Sequence, residues 1–326
     1  MGRKPVGVVL LQLGGPDAPG SVEGFLYNLF CDPDIIDLPL AFLFRRRLAA
    51  FIARRRAPRV QKYYERIGGR SPILNLTRRQ ASALERALAP EIDARVVIAM
   101  RYWHPLTGEA VDALIEAGVE KVVLLPLYPH FSKTTTGSSV REWEREVRAR
   151  GIRTFSVRTV RGYAEHPLYI AALVRNIGIA LRRVPEQERP AVNLVFSAHG
   201  TPVALVRAGD PYQAEIEKTY RAVLQRGNFG LPHHLCYQSK VGPQKWLEPS
   251  LGATIERLAR EGVSHIIVVP IAFVSDHSET LWEINIEARL EARRLGIRYF
   301  DMSPALHTAP DFVAALKELV LAEVAQ

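Results

Sequence analysis

Short apolar runs alternate along this chain with amphipathic stretches. Val6–Leu13, Arg95–Ala99, Lys121–Leu125, Val192–Phe196, His234–Tyr237 and Ile266–Val269 read as buried strands. Helical periodicity predicts helices over Thr77–Leu88, Thr107–Ala117, His166–Arg182, Asp210–Gln225, Leu251–Arg260, Ser278–Arg293 and Ala309–Val324. Strands alternating with helices predict an α/β fold, with parallel sheets covered by helices on both faces.

The pattern also repeats. PLTGEAVDALIEAGVEKVVLLPL (Pro105–Leu127) aligns without a gap on PSLGATIERLAREGVSHIIVVPI (Pro249–Ile271). Pro105 matches Pro249, Gly108 Gly252, Leu114 Leu258, Gly118 Gly262, Val119 Val263 and Pro126 Pro270. Identities at one fixed offset favour duplication over chance. The expected architecture is two similar doubly wound, Rossmann-type α/β domains with an active-site cleft between them. The first runs from 1 to 160, with an apolar and basic lip near 26–56. The second spans 161–306 and carries His199 and Glu279. The pattern leaves the last helix, within 307–326, free to pack on either domain. Ligands in such folds sit beyond the carboxyl ends of the strands. Those ends carry Gly14-Gly15-Pro16, residues 128–136, Ser197-Ala198-His199-Gly200 and residues 275–279.

Composition narrows the class. The 326 residues are 48% hydrophobic and 24% charged, as in a globular protein with a substantial core. No apolar stretch approaches the roughly 18 residues of a spanning helix, and Met1–Pro5 leads straight into an apolar run without a targeting leader. Cys31 and Cys236 form no CxxC, so a reducing compartment is expected and no four-thiolate cluster. The net charge of +9 points to anionic partners. Arg45-Arg46-Arg47 and Arg54-Arg55-Arg56 cluster beside Leu38, Leu40, Phe42, Leu43, Phe44 and Phe51. That segment is either an ordinary amphipathic helix or a surface suited to anionic lipid. Nucleic-acid motifs are missing.

The candidate chemistry lies in the loops. FSAHGTP (Phe196–Pro202) delivers His199 from a buried strand to a glycine turn, as a hydrogen-bonded structural histidine, a base or a metal ligand. In SDHSETLWEINIE, Asp276 or Ser275 suits a helix cap, while Glu279, Glu283 and Glu287 recur every four residues. Like charges so spaced repel by roughly a few tenths of a kcal/mol per pair. A solvated face paired with arginines is one explanation. The other is an inward row of acids serving a metal or protons, because Leu281, Trp282, Ile284 and Ile286 crowd the rest of the helix. GxSxG, HExxH, GxGxxG and GxxxxGK[ST] do not occur. FSKTTTGSS is rich in hydroxyls that suit an anion, or a helix cap at Ser138 or Ser139. Arg101, Tyr102, Tyr237 and Trp246 suit a flat, carboxylated ring, or simply a core.

LQLGGPD, YYERIGGRSPI, MRYWHPLT, YPHFSKTTTGSS, FSAHGTP, YQSKVGPQKWLEPS and VVPIAFVSDHSETLWEINIE together resemble the ferrochelatases, over nearly the whole chain. The resemblance implies a chelatase-like fold whose last helix returns to the first domain. It implies an enzyme that inserts Fe2+ into protoporphyrin IX, releasing two protons. His199 and Glu279 then correspond to the family's iron ligands and catalytic pair. Asp276, His277, Glu283 and Glu287 correspond to the polar path behind them. Arg56, Tyr64 and Ser71 match porphyrin-contacting positions, and Leu13, Arg101, Tyr102, Tyr128, Trp246 and Phe273 resemble further pocket wall. Leu13 departs from the Met of animal relatives. The imidazole and the glutamate are expected to come from the two duplicated halves and to face each other across a gap one tetrapyrrole disc wide. With two cysteines, no [2Fe–2S] cluster or other resident cofactor is expected. A cytoplasmic location is expected, with peripheral contact to anionic membrane through the lip. Coproporphyrin III is the alternative substrate, a shorter-chain cobalt or sirohydrochlorin chelatase the rival enzyme, and a porphyrin or haem carrier the non-enzymatic alternative.

Overall fold

The computed structural model describes residues 4–35, 41–240 and 244–326, without the side chains of 41–43. Leu38 and Leu40, and the side chains of Phe42 and Leu43, therefore lie outside the described part of the expected lip. The chain forms two compact units, Met1–Gly162 together with Val313–Gln326, and Tyr163–Phe312.

Each unit is built on one four-stranded parallel sheet. In the first, β1 (Val6–Gln12), β2 (Ala94–Met100), β3 (Lys121–Pro126) and β4 (Ser156–Thr159) lie in the order β2-β1-β3-β4. In the second, β5 (Val192–His199), β6 (His233–Gln238), β7 (His265–Pro270) and β8 (Tyr299–Met302) lie in the order β6-β5-β7-β8. β1 and β7 are buried along their whole length, and β5 as far as Ala198. That is why they read as unbroken apolar runs. Val9, Leu11, Leu124, Leu114 and Trp143 anchor the core of the first sheet. Val195, Ile255, Leu258, Val268 and Ile284 anchor that of the second.

The two topologies match strand for strand, as two similar α/β units require. Their backbone bonds match as well. The Leu127 amide bonds the Leu11 carbonyl at 2.9 Å, and the Ile271 amide bonds that of Ser197 at 3.0 Å. The Met100 amide bonds the Pro105 carbonyl at 2.8 Å, and the Tyr237 amide bonds that of Pro249 at 2.9 Å. These pairs make Leu13 the counterpart of His199, Tyr102 that of Ser239, and Thr135 that of Glu279. The connection from β1 to β2 is more than twice as long as that from β5 to β6. The extra length holds the helices Val22–Cys31 and Ala41–Arg66. Among the described residues no helix is long and apolar enough to cross a membrane.

Two strands escape the apolar pattern. β4 is SVRT, with three of its four residues exposed, and β8 is YFDM. Both are short edge strands, which need little apolar surface. Ser138–Ala149 is also helical, on a narrow stripe of Val140, Trp143 and Val147. The expected helix from Ser278 departs in form. Glu279–Ala288 is a π-helix, continued by the α-helix Arg289–Arg294. A shorter π-helix, Lys133–Gly137, opens the corresponding helix of the first unit.

β5 runs on past its apolar stretch because His199 still pairs with Gln238 of β6. The next amide, of Gly200, bonds the Gln238 carbonyl at 2.7 Å. A Cβ at Gly200 would stand 2.8 Å from that same oxygen and 3.2 Å from the Trp246 ring. Only glycine allows this approach. Gly200→Ala is therefore expected to destabilise the protein by about 1–3 kcal/mol. Denaturant melts would show it, and an unchanged midpoint would contradict the packing described.

Candidate functional site

The sheet order places a switch point between β5 and β7, since the chain leaves β5 for β6 on one side and adds β8 on the other. His199 ends β5. β7 ends at Pro270, and residues 271–278 carry the chain to Glu279. The strand register therefore brings imidazole and carboxylate together at the carboxyl edge of one sheet.

His199 Nδ1 lies 2.7 Å from Glu279 Oε2. A carboxylate only accepts, so Nδ1 carries the proton and Nε2 is left to face outward. The imidazole side chain is 37% exposed and the carboxylate 19%. This corrects the expected arrangement. Both groups belong to the second unit, as a boundary near 160 already implies, and they touch each other with no disc-wide gap between them.

The row of acids is answered by its surroundings. Ser239 Oγ lies 2.5 Å from Glu283 Oε2 and 3.2 Å from Glu279 Oε2. Glu287, one step further, is exposed. The row therefore climbs from a half-buried ion pair to solvent. Burial opposes ionisation of Glu279, but the charge and hydrogen bond of His199 outweigh it and hold the carboxyl at about 2. Burial pushes Glu283 the other way, and the charge of Glu279 adds to it, up to about 7. Burial also disfavours the charged form of His199, yet Glu279 prevails and raises its pKa. Neighbouring like acids thus avoid repulsion by dividing their roles, one ionised and one readily protonated.

The loop before the row is braced. His277 Nδ1 donates to the Ser275 carbonyl at 3.1 Å, which turns Nε2 to within 3.9 Å of Glu279 Oε2. The Phe273 ring lies 4.6 Å from the His277 ring. Asp276 does not cap the helix through a backbone amide, as the spacing suggested. Its Oδ1 accepts from the Thr280 hydroxyl at 2.9 Å and its Oδ2 faces His307 Nε2 at 3.0 Å. Burial works against the Asp276 charge, but the His307 bond keeps its pKa below the usual carboxylate value. Trp246 stands beside His199, with ring centroids 6.5 Å apart. Among the described residues no group of three or more His, Cys, Asp or Glu side chains is disposed to hold a metal ion.

The remaining sequence candidates lie in the first unit. Leu13 follows β1, and its carbonyl accepts from the Tyr102 amide at 3.1 Å. Tyr102 is 1% exposed and Tyr64 3%, both within the cluster formed with Phe25, Leu26 and Phe30. Their side chains are enclosed, so their contribution to any ligand runs through the residues they support. The Tyr102 hydroxyl donates to Asp32 at 2.6 Å. Arg101 joins the same acid at 3.0 Å and donates through Nε to Ser138 at 2.8 Å. Asp32 is thus a buried organiser that sequence reasoning missed. Ser132, not Ser138 or Ser139, caps its helix, by accepting from the Thr134 amide. Ser71 is buried, and its amide donates to the Pro16 carbonyl at 2.8 Å. The Tyr128 side chain reaches inward and burial raises its pKa well above the usual phenol value. The exposed Arg56 lays its guanidinium over Phe30, 5.5 Å from the ring centre.

Ser239 and His307 were also missed as site residues. Both are non-glycine residues with positive φ, 65° and 45°. Nothing in a sequence pattern marks such a backbone. The only available signal for Ser239 was its place just past a strand end, in YQSK.

Relatives supply independent testimony. The Ferrochelatase family profile matches residues 5–324. A protein named Ferrochelatase from Geotalea daltonii is 46% identical over 314 residues, 96% of each chain. One of the same name from Aquifex aeolicus is 44% identical over 319 residues, 98% of this chain and 99% of its own. Among solved structures, SirB from Bacillus subtilis with Fe3+ superposes with a TM-score of 0.56 at 11% identity, covering 98% of this chain and 96% of that one. DR2241 from Deinococcus radiodurans, described as similar to chelatases, gives a TM-score of 0.56 at 16% identity, over 99% of this chain and 55% of its own. At such identities the structures speak for the chelatase fold alone. The sequence matches, at this identity over nearly the whole of both chains, make this chain a member of the ferrochelatase family.

Proposed function

We propose that the chain inserts Fe2+ into protoporphyrin IX to give protohaem, with release of the two pyrrole protons. The supporting observation is the line His199, Glu279, Ser239, Glu283, in which each group lies within hydrogen-bond reach of the next. Metal insertion needs a base for the pyrrole protons and a weakly held metal that sheds its water. His199 Nε2 is the base, made stronger because Glu279 holds Nδ1–H and stabilises the imidazolium. Iron is the substrate, and it meets His199 and Glu279 separately, because the Nδ1–H bond to Glu279 turns Nε2 away from the carboxylate. A lone imidazole nitrogen or a lone carboxylate holds a divalent ion loosely enough to pass it on. Glu283, with a pKa near 7, takes up and gives back protons at working pH. Glu287 connects the row to solvent.

The enzyme works without a resident cluster in this reading. Cys236 lies in the core with its thiol pushed up to about 12 by burial, unsuited to ligation. We place the protein in the cytoplasm, resting on anionic membrane. Phe44 and Phe51 are exposed on one face of Ala41–Arg66, seven residues apart, beside the exposed Arg47 and Arg54. Anionic vesicles should therefore co-sediment the protein, and Phe51→Ser should weaken that binding several-fold. Equal sedimentation of both proteins would remove the membrane from the account.

One assay tests the reaction. Protein, protoporphyrin IX and Fe2+ are mixed without oxygen and porphyrin fluorescence is followed. Loss over many turnovers is expected, while a single equivalent bound without turnover would mean a carrier. Coproporphyrin III, whose four propionates favour a more cationic pocket, should turn over more slowly than a vinyl-bearing porphyrin beside the exposed Phe44 and Phe51. The reverse order would make it the substrate.

The proton path carries its own pH signature. A proton-accepting Glu283 must be ionised, so activity should rise with pH through about 7. Glu283→Gln should lower turnover on the order of 10²-fold, the scale of one positioned proton acceptor. An unchanged rate and iron affinity would take Glu283 off the path.

A further inference from the structure

Glu279 has two oxygens, and the described residues engage only one of them. Oε2 meets His199 Nδ1 at 2.7 Å and Ser239 Oγ at 3.2 Å, with His277 Nε2 at 3.9 Å. Among the described residues Oε1 makes no hydrogen bond. The carboxylate is therefore held by one edge with the other presented outward. Ser239 touches both acids, since the same hydroxyl lies 2.5 Å from Glu283 Oε2. A hydroxyl has one proton to donate and lone pairs to accept with. It donates to one acid and, when Glu283 is protonated, accepts from that acid while donating to Glu279.

Its backbone is arranged for this. Ser239 has φ 65°, a region that non-glycine residues enter at a cost and that clusters at functional sites. Serine is not among the residues favoured there. The first unit repeats the hydroxyl contact, though not the left-handed backbone. Tyr102, the counterpart of Ser239 by the matched backbone bonds, also sends its hydroxyl to an acid, Asp32 at 2.6 Å. In both copies the residue at this place beyond the second strand spends a hydroxyl on a carboxylate.

We propose that Ser239 is a positioning residue for metal insertion: it fixes the rotamer of Glu279, so that Oε1 faces the incoming iron, and links Glu279 to Glu283. The inference rests on the iron-insertion reading above. Ser239 itself touches neither iron nor porphyrin in this account.

The test compares Ser239→Ala with Ser239→Gly. Both remove the hydroxyl, but glycine also relieves the left-handed backbone, so the two variants separate chemistry from strain. Steady-state insertion is measured with Fe2+ and protoporphyrin IX varied in turn, alongside thermal melts. Both variants should lose about tenfold or more in kcat/KM for iron, the scale of one hydrogen bond to a charged group. KM for porphyrin should stay within about twofold. The glycine variant should melt no lower than wild type. Three results would overturn the inference: full iron efficiency in either variant; a defect confined to alanine; or losses that follow porphyrin KM and melting temperature instead of iron. Absence of turnover in the wild-type protein would instead refute the iron-insertion reading, so the two failures are distinct.

Discussion

The parallel register of β5 against β7 is the constraint on which the second unit's chemistry depends. It sets the end of one strand beside the loop leaving its neighbour, and so brings His199 and Glu279 into contact although eighty positions separate them. Neither group would do the same work alone. An isolated half-buried imidazole would be pushed toward neutrality and an isolated half-buried carboxylate toward protonation. Paired, each offsets part of the other's burial: Glu279 raises the pKa of His199, and His199 lowers that of Glu279. The pair also governs the next acid in the row. A fixed negative charge at Glu279 is part of the reason Glu283 retains its proton to about 7. The gradient along the row is thus electrostatic as well as positional.

Much of this was legible in the residues, and the rest was hidden for physical reasons. Buried central strands such as VGVVLLQ and HIIVVP announce themselves because both faces are covered. The doubled helix–turn–strand unit was visible as identities at one offset, and the shared strand order of the two sheets agrees with it. SVRT and YFDM were invisible because an edge strand needs only backbone partners. Four-residue spacing correctly placed the acids on one helix. It said nothing of the wider turn that this helix adopts. The candidate pair was readable as two residue types in two loops. Their direct contact was not, since it depends on register, and the expectation of a gap between them failed for that reason. Ser239 and His307 owe their positions to backbone angles that side-chain chemistry does not advertise.

The two units show how one scaffold carries different loads. Where the second has His199, Glu279 and Glu283, the first has Leu13, Thr135 and Ser139. The first unit adds a long excursion between its first two strands, and from it draws Asp32. That acid holds Arg101, Tyr102 and Ser138 through Oδ2 and the Asp34 amide through Oδ1, so both its oxygens are engaged. Among the described residues, Glu279 and Glu283 are each engaged through Oε2 alone, and Glu287 stands in solvent. The contrast lies between an acid with both oxygens engaged and acids that leave one oxygen free.

The paired π-helices settle a question of cause. It is tempting to ascribe the loosened coil at Glu279–Ala288 to mutual repulsion among its acids. Lys133–Gly137 has the same loosened coil at the corresponding place, with threonines and no carboxylate at all. The widening therefore does not need carboxylates, since a threonine run adopts the same wider turn in the other unit.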